Sequence, residues 1–153
     1  MGVKQAHHLR ELLRSENFEK IYTSQLRRAQ RTAEIISAGW NIPIQIDPRL
    51  NEIDQGEWTG KSGRELFKTE ELYRKWVANP FEAHPPNGET FLQVVERARS
   101  FLQSVEEKRV LVVAHGGLLA VMRALAEKIP LERAWALIPK NAELIRISFN
   151  SKG

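Results

Sequence analysis

Three side chains in this chain have the type and the neighbours to act on an anion: His115, Arg28 and Glu52. His115 ends an unbroken apolar run, Val110-Leu111-Val112-Val113-Ala114, and is followed at once by Gly116 and Gly117. A short run of aliphatic and β-branched residues reads as a strand buried on both faces, as in a parallel sheet. The two glycines let the backbone turn tightly and come close to a ligand, and Leu118, Val121, Met122 and Leu125 recur at helical spacing. The pattern therefore puts His115 at the carboxyl end of a strand, beside a helix N-terminus. Open α/β sheets bind ligands there, and the free N–H groups of the helix favour an anion, above all a phosphate. The plainer alternative is a histidine that only hydrogen-bonds within a turn.

Arg27 and Arg28 fall in the first turn of a helix predicted over Gln25 to Ala38, with Ser24 as its N-cap. Cations are mildly unfavourable at the positive end of a helix dipole, so an anion is expected to compensate. A guanidinium beside backbone N–H groups makes a bidentate clamp for phosphate. From these residues alone an exposed pair of arginines neutralised by Glu34 or other surface carboxylates is an equally good reading. Glu52 lies in the loop Leu50 to Gly60, which also carries Gly56, Trp58 and Gly60, and its apolar neighbours Leu50 and Ile53 predict partial burial. Burial raises a carboxyl pKa toward the range a proton donor needs near neutral pH. A capping or ion-paired glutamate is the alternative.

The elements that must position these groups follow from periodicity. Ala6, Leu9, Leu12 and Leu13 line a first helix ending near Ser15 to Asn17; Phe18 to Thr23 is a short strand; Pro43 to Asp47 is another. Helical segments follow at Arg64 to Phe67 and Glu71 to Ala78. Pro80 to Gly88 is a proline-rich loop. A long helix then buries Phe91, Val94, Val95, Ala98, Phe101, Leu102 and Val105. Leu144 to Phe149 alternates in the manner of an edge strand. His7, His8 and His84 sit at no strand end and read as surface or packing residues.

The 153 residues, 42% hydrophobic, suit one domain with a sizeable core. The absence of cysteine excludes disulfides, a thiol nucleophile and thiolate metal sites, and makes the reducing cytoplasm the default compartment. No apolar run reaches the length of a membrane span. A net charge of +4 and a pI near 9.6 favour anionic partners. Acidic residues interleave with the basic ones, which argues for a solvated surface over a nucleic-acid stripe.

Three separated runs, Tyr22 to Glu34, Leu50-Asn51-Glu52-Ile53 with Gly56, Trp58 and Gly60, and Val113 to Gly117, resemble the histidine phosphatase superfamily, which includes phosphoglycerate mutase. The turn Pro86-Asn87-Gly88-Glu89-Thr90 and the start of the first helix match it too, so the resemblance covers essentially residues 1–153. It implies an α/β fold of three layers, an open and mostly parallel sheet with helices on both faces. It also implies that Arg28 clamps the transferred phosphoryl group, that His115 with Gly116 lines the phosphate site, and that Glu52 is the acid/base. Glu89 becomes a second candidate acid or a substrate contact. No metal or organic cofactor is implied. The partner implied is a small phosphorylated substrate, with no nucleic acid and no membrane; a homodimer is compatible.

One departure stands out. Family members open with a strand ending in Arg-His-Gly, whose histidine becomes phosphorylated, and residues 1–153 hold no such segment. The expectation is therefore a histidine-phosphatase-like domain shortened at its N-terminus, aggregation-prone and without turnover until an upstream βα segment is restored. Its reaction would be hydrolysis of a phosphate monoester through a phosphohistidine in the intact enzyme. An inactive phosphate-binding or scaffold member of the same fold, or a phosphoglycerate mutase, is the alternative. Sugar phosphates, phosphoglycerate, phosphoserine and a nucleotide-loop phosphate all remain open as substrates.

Overall fold

The computed structural model describes residues 2–150. Among them three parallel strands, β1 (Lys20–Thr23), β2 (Ile44–Ile46) and β3 (Val110–Val113), form one sheet in the order β2-β1-β3. Thr23 pairs with Ile46 on one side and Val113 on the other, so the strands end level and their carboxyl ends share one edge.

Helices cover both faces. Helix α1 (Val3–Leu13) and helix α2 (Arg27–Ser37) bury Ala6, Leu9, Leu13 and Ile36 together, with Leu111 of β3 against them. On the other face α5 (Phe91–Ser104) and α6 (Gly116–Glu127) pack Val94, Val95, Phe101, Leu118 and Val121 onto Tyr22, Val110 and Val112. The alternation along β3, with Val110 and Val112 to one face and Leu111 to the other, is the period of two that a strand imposes. Phe101 meets the Tyr22 ring edge to face at 5.2 Å. Helix α5 starts with a capping box in which Thr90 Oγ1 accepts from Gln93 N and Gln93 Oε1 accepts from Thr90 N, a Thr-x-x-Gln signal readable in the sequence. Two short helices, α3 (Gly63–Thr69) and α4 (Glu71–Ala78), carry a separate aromatic cluster of Trp58, Tyr73 and Trp76.

Several expectations need correction. Leu12 is 54% exposed and does not belong to the buried face of α1, which Ala6, Leu9 and Leu13 complete without it. Strand β3 is half-buried along its length, because it lies at the edge of the sheet among the described residues. Leu144 to Phe149 forms no ladder. Ile145 and Ile147 are half-buried in alternation, but a cavity of about 480 Å³ lined by both segments lies between them and Val110 to Val112. Alternation records which side chains face a core; a ladder also needs a backbone partner within reach. Among the described residues no helix is long and apolar enough to cross a membrane.

Candidate active site

Ser24, first residue after β1, does not cap α2; the N-cap is Leu26. Its hydroxyl accepts from Leu26 N at 3.2 Å and lies 2.8 Å from His115 Nε2. Both side chains are buried, so this bond ties the carboxyl end of β1 to that of β3. A second tie joins the α2 entrance to the Glu52 loop: Gln25 N donates to Asn51 Oδ1 at 2.8 Å and Asn51 Nδ2 donates to Gln25 Oε1 at 2.9 Å. A third is steric. A Cβ on Gly117 would stand 2.9 Å from Ile53 Cδ1 and 3.3 Å from Glu52 Oε1, so any larger residue would push these two side chains away from the start of α6. Gly116 and Gly117 are thus the first two residues of a regular helix, and close approach explains Gly117 better than a tight turn does.

These ties bring Glu52 and His115 to one end of the sheet, within reach of the Arg28 charge, which acts on both. His115 is the N-cap of α6, with no side-chain cap, so the N–H groups of the first turn have no partner inside the helix. Arg28 is exposed, and among the described residues no carboxylate lies within ion-pair distance of its guanidinium, Glu34 included. Burial, then the Arg28 charge, then Arg97, push the His115 imidazolium pKa down to about 4. Above that pH His115 is neutral, with one ring nitrogen held by Ser24. Burial likewise raises the Glu52 carboxyl above the ordinary range, opposed by a hydrogen bond from Ile53 N and by the Arg28 and Arg97 charges. The site therefore combines a free cation, a neutral imidazole, unpartnered N–H groups and a carboxyl inclined to keep its proton.

Glu89 is arranged differently. Its carboxylate takes Arg97 Nε at 2.7 Å and Nη2 at 3.0 Å, and also accepts from Asp54 N at 3.2 Å. It lines an open groove of about 780 Å³ with Glu52 and Arg97. His7 and His8 are exposed on α1, and His84 Nδ1 lies 3.0 Å from Pro85 O, away from this cluster. Two residues of the site escape sequence reading. Ser24 looked like a cap because serine before a helix usually is one, and Arg97 is a single cation beside the apolar stripe of α5.

Comparison with known proteins bears on this geometry. The family model described as histidine phosphatase superfamily (branch 1) matches residues 1–153. The adenosylcobalamin/alpha-ribazole phosphatase of Escherichia coli (strain K12) is 34% identical over 139 residues, covering 88% of this chain and 68% of that protein. Phosphoserine phosphatase 1 of Hydrogenobacter thermophilus is 32% identical over 146 residues, covering 92% of this chain and 69% of that protein. The solved structure of Bacillus stearothermophilus YhfR superposes with a TM-score of 0.78 at 31% identity, covering 98% of this chain and 73% of that one. With the family model matched along the chain and relatives of this identity, the chain belongs to the histidine phosphatase superfamily, a family of phosphate-ester chemistry.

Proposed function

We propose that the protein hydrolyses small-molecule phosphate monoesters, with Arg28 and His115 holding the phosphoryl group and Glu52 as the proton donor. The observation that carries this reading is Arg28: a cation without a carboxylate partner among the described residues, whose charge acts on a buried histidine and a half-buried glutamate. Two of the relatives are named as phosphatases, which supports hydrolysis over mutase chemistry.

In this reading the ester phosphate lies at the start of α6, where backbone N–H groups and Arg28 take its charged oxygens. Its charge restores a proton to His115, whose imidazolium then adds a third positive contact. As the nucleophile attacks phosphorus and the bond to the leaving oxygen breaks, Glu52 gives that oxygen its proton. The nucleophile is a histidine of an Arg-His-Gly segment, which residues 1–153 do not hold. In the second half the Glu52 carboxylate takes a proton from water, the water oxygen bonds phosphorus, and the N–P bond breaks. Glu52 ends protonated as it began. Cationic groups and N–H donors stabilise the spread charge of the transferring phosphoryl, which is where most of the rate is expected to come from.

The test is a leaving-group series, and turnover here and below is measured on the protein carrying the upstream Arg-His-Gly segment that supplies the nucleophile. Monoesters should be hydrolysed with inorganic phosphate as a competitive inhibitor. In Glu52→Gln, kcat for an alkyl phosphate should fall by about 10²-fold or more, while an aryl phosphate, whose leaving group needs little protonation, should lose far less. Equal losses on both would give Glu52 a binding role instead, and failure of phosphate to compete would remove the site.

A further inference from the structure

Arg97 makes five side-chain hydrogen bonds, three of them to backbone carbonyls of one segment. Its Nη1 donates to the carbonyls of Arg49 at 2.7 Å and Asn51 at 2.8 Å, and its Nη2 reaches Glu52 O at 3.4 Å. The other edge of the guanidinium forks onto both oxygens of Glu89. Glu89 in turn holds the far end of the same segment: its backbone N donates to Asp54 O at 2.9 Å and its carboxylate accepts from Asp54 N. Asn51 to Asp54, the stretch that carries Glu52, is thus gripped at one end by Arg97 and at the other by Glu89. Both gripping side chains are themselves mostly buried, at 18% and 16% exposure.

We infer that Arg97 is a positioning residue for Glu52, anchored by Glu89, and that Glu89 is therefore part of the clamp and not a second proton donor. The inference rests on the proton-donor reading of Glu52 above. The geometry needs arginine. A planar fork with five N–H donors spans two backbone carbonyls on one edge and a carboxylate on the other; the lysine ammonium has three donors at one point and cannot do both. Glu89 has both oxygens committed, so releasing a proton to a substrate would first require breaking the fork. The Arg97 charge also acts at a distance, opposing protonation of both Glu52 and His115, which couples the clamp to the two groups it stands behind.

Three variants test this. Arg97→Lys keeps the charge and loses the fork; the double change Arg97→Met with Glu89→Gln removes both charges without leaving a buried carboxylate alone; Glu52→Gln is the reference. A displacement of the donor by about 1 Å is expected to cost about 10²-fold, so Arg97→Lys should lower kcat for an alkyl phosphate on that scale, with KM and the inhibition constant of inorganic phosphate moving less than about threefold. The loss for an aryl phosphate should be clearly smaller. A residue that merely stabilised the fold would lower both substrates together and weaken phosphate binding. In the double variant kcat for the alkyl phosphate should fall on the same scale, since the segment has lost both side-chain grips. Equal losses on the two substrates in Arg97→Lys, or an unchanged alkyl-phosphate kcat in the double variant, would overturn the inference. If Glu52→Gln itself shows no leaving-group dependence, the proton-donor reading fails first and this inference falls with it; a dependence in Glu52→Gln that Arg97→Lys does not share removes the clamp alone.

Discussion

The two ends of the β1–β3 strand pair treat charge in opposite ways. At the amino end Glu107 and Glu16 both have partners: Lys20 faces Glu107 at 3.5 Å, the Tyr22 hydroxyl donates to both Glu107 oxygens, and Glu16 takes Arg109 and Arg146. Glu16 is held below the ordinary carboxylate range, first by its hydrogen bond from Arg146, and Glu107 likewise, first by a backbone N–H. At the carboxyl end burial dominates, so His115 and Glu52 shift toward their neutral forms, and Arg28 is left without a carboxylate. A charge matched by its neighbours has little left to offer a ligand. An unmatched cation beside a neutral base and a carboxyl with a raised pKa retains that interaction, and also suits proton transfer.

Arginines at the two ends give the sharpest contrast. Arg28→Ala should lower kcat/KM for a phosphate monoester by about 10³-fold and weaken inorganic phosphate binding in parallel, as loss of a charge-stabilising donor does in other phosphoryl and acyl transfers. Arg109→Ala, 54% exposed and paired with Glu16, should leave kinetics unchanged. Steady-state kinetics with one aryl phosphate would decide it, and similar losses in the two variants would erase the distinction between the ends.

Ser24→Ala comes next. It removes the partner of His115 Nε2 and the acceptor of Leu26 N inside a buried site, where an unmatched polar group costs roughly 1–3 kcal/mol. The expected reading is a fall of about tenfold in kcat/KM, since 1.4 kcal/mol is one decade, with a pH profile displaced because the tautomer is no longer set. A profile that keeps its shape would reduce Ser24 to packing. The smallest effect is expected from Glu107→Gln at the amino end, where chemical denaturation should show a change within about 1 kcal/mol and activity should stay as it was.

How much of this could be read in the residues depended on whether the signal was local. The β3 run ending in His115, the apolar stripe of α5 and the span of α4 are set by periods of two and 3.6 within a few turns, and they stand where the pattern puts them. Arg28, Glu52 and His115 could be named one at a time, yet their convergence depends on Gln25 meeting Asn51 and on a missing Cβ at Gly117, contacts between segments far apart in the chain. Whether Arg28 paired with a surface carboxylate was undecidable locally, because Glu34 is six residues away, not at a facing i,i+3 or i,i+4 position, and other carboxylates could reach it only through the fold. Leu144 to Phe149 failed for a related reason: alternation describes faces, while the ladder it would join depends on a neighbour. Arg97 and Ser24 act only through tertiary contacts, and nothing in their immediate sequence marks them.

Arg28, Glu52 and a neutral His115 are proposed to form a single anion site, and the most direct test is the titration of the His115 ring by ¹⁵N-resolved NMR, without and with inorganic phosphate. Without ligand the imidazole should protonate only near pH 4, because burial and the Arg28 charge both oppose its cation. Bound phosphate reverses that balance, so the pKa should rise, and phosphate must take up a proton on binding at any pH between the two values. Across that window affinity should therefore strengthen as pH falls toward the free-state value, in so far as the His115 proton governs it. In Arg28→Ala the free imidazole should titrate above the wild-type value and respond weakly to phosphate. A His115 that titrates near 6.5 in the free protein, or that ignores saturating phosphate, would contradict the account.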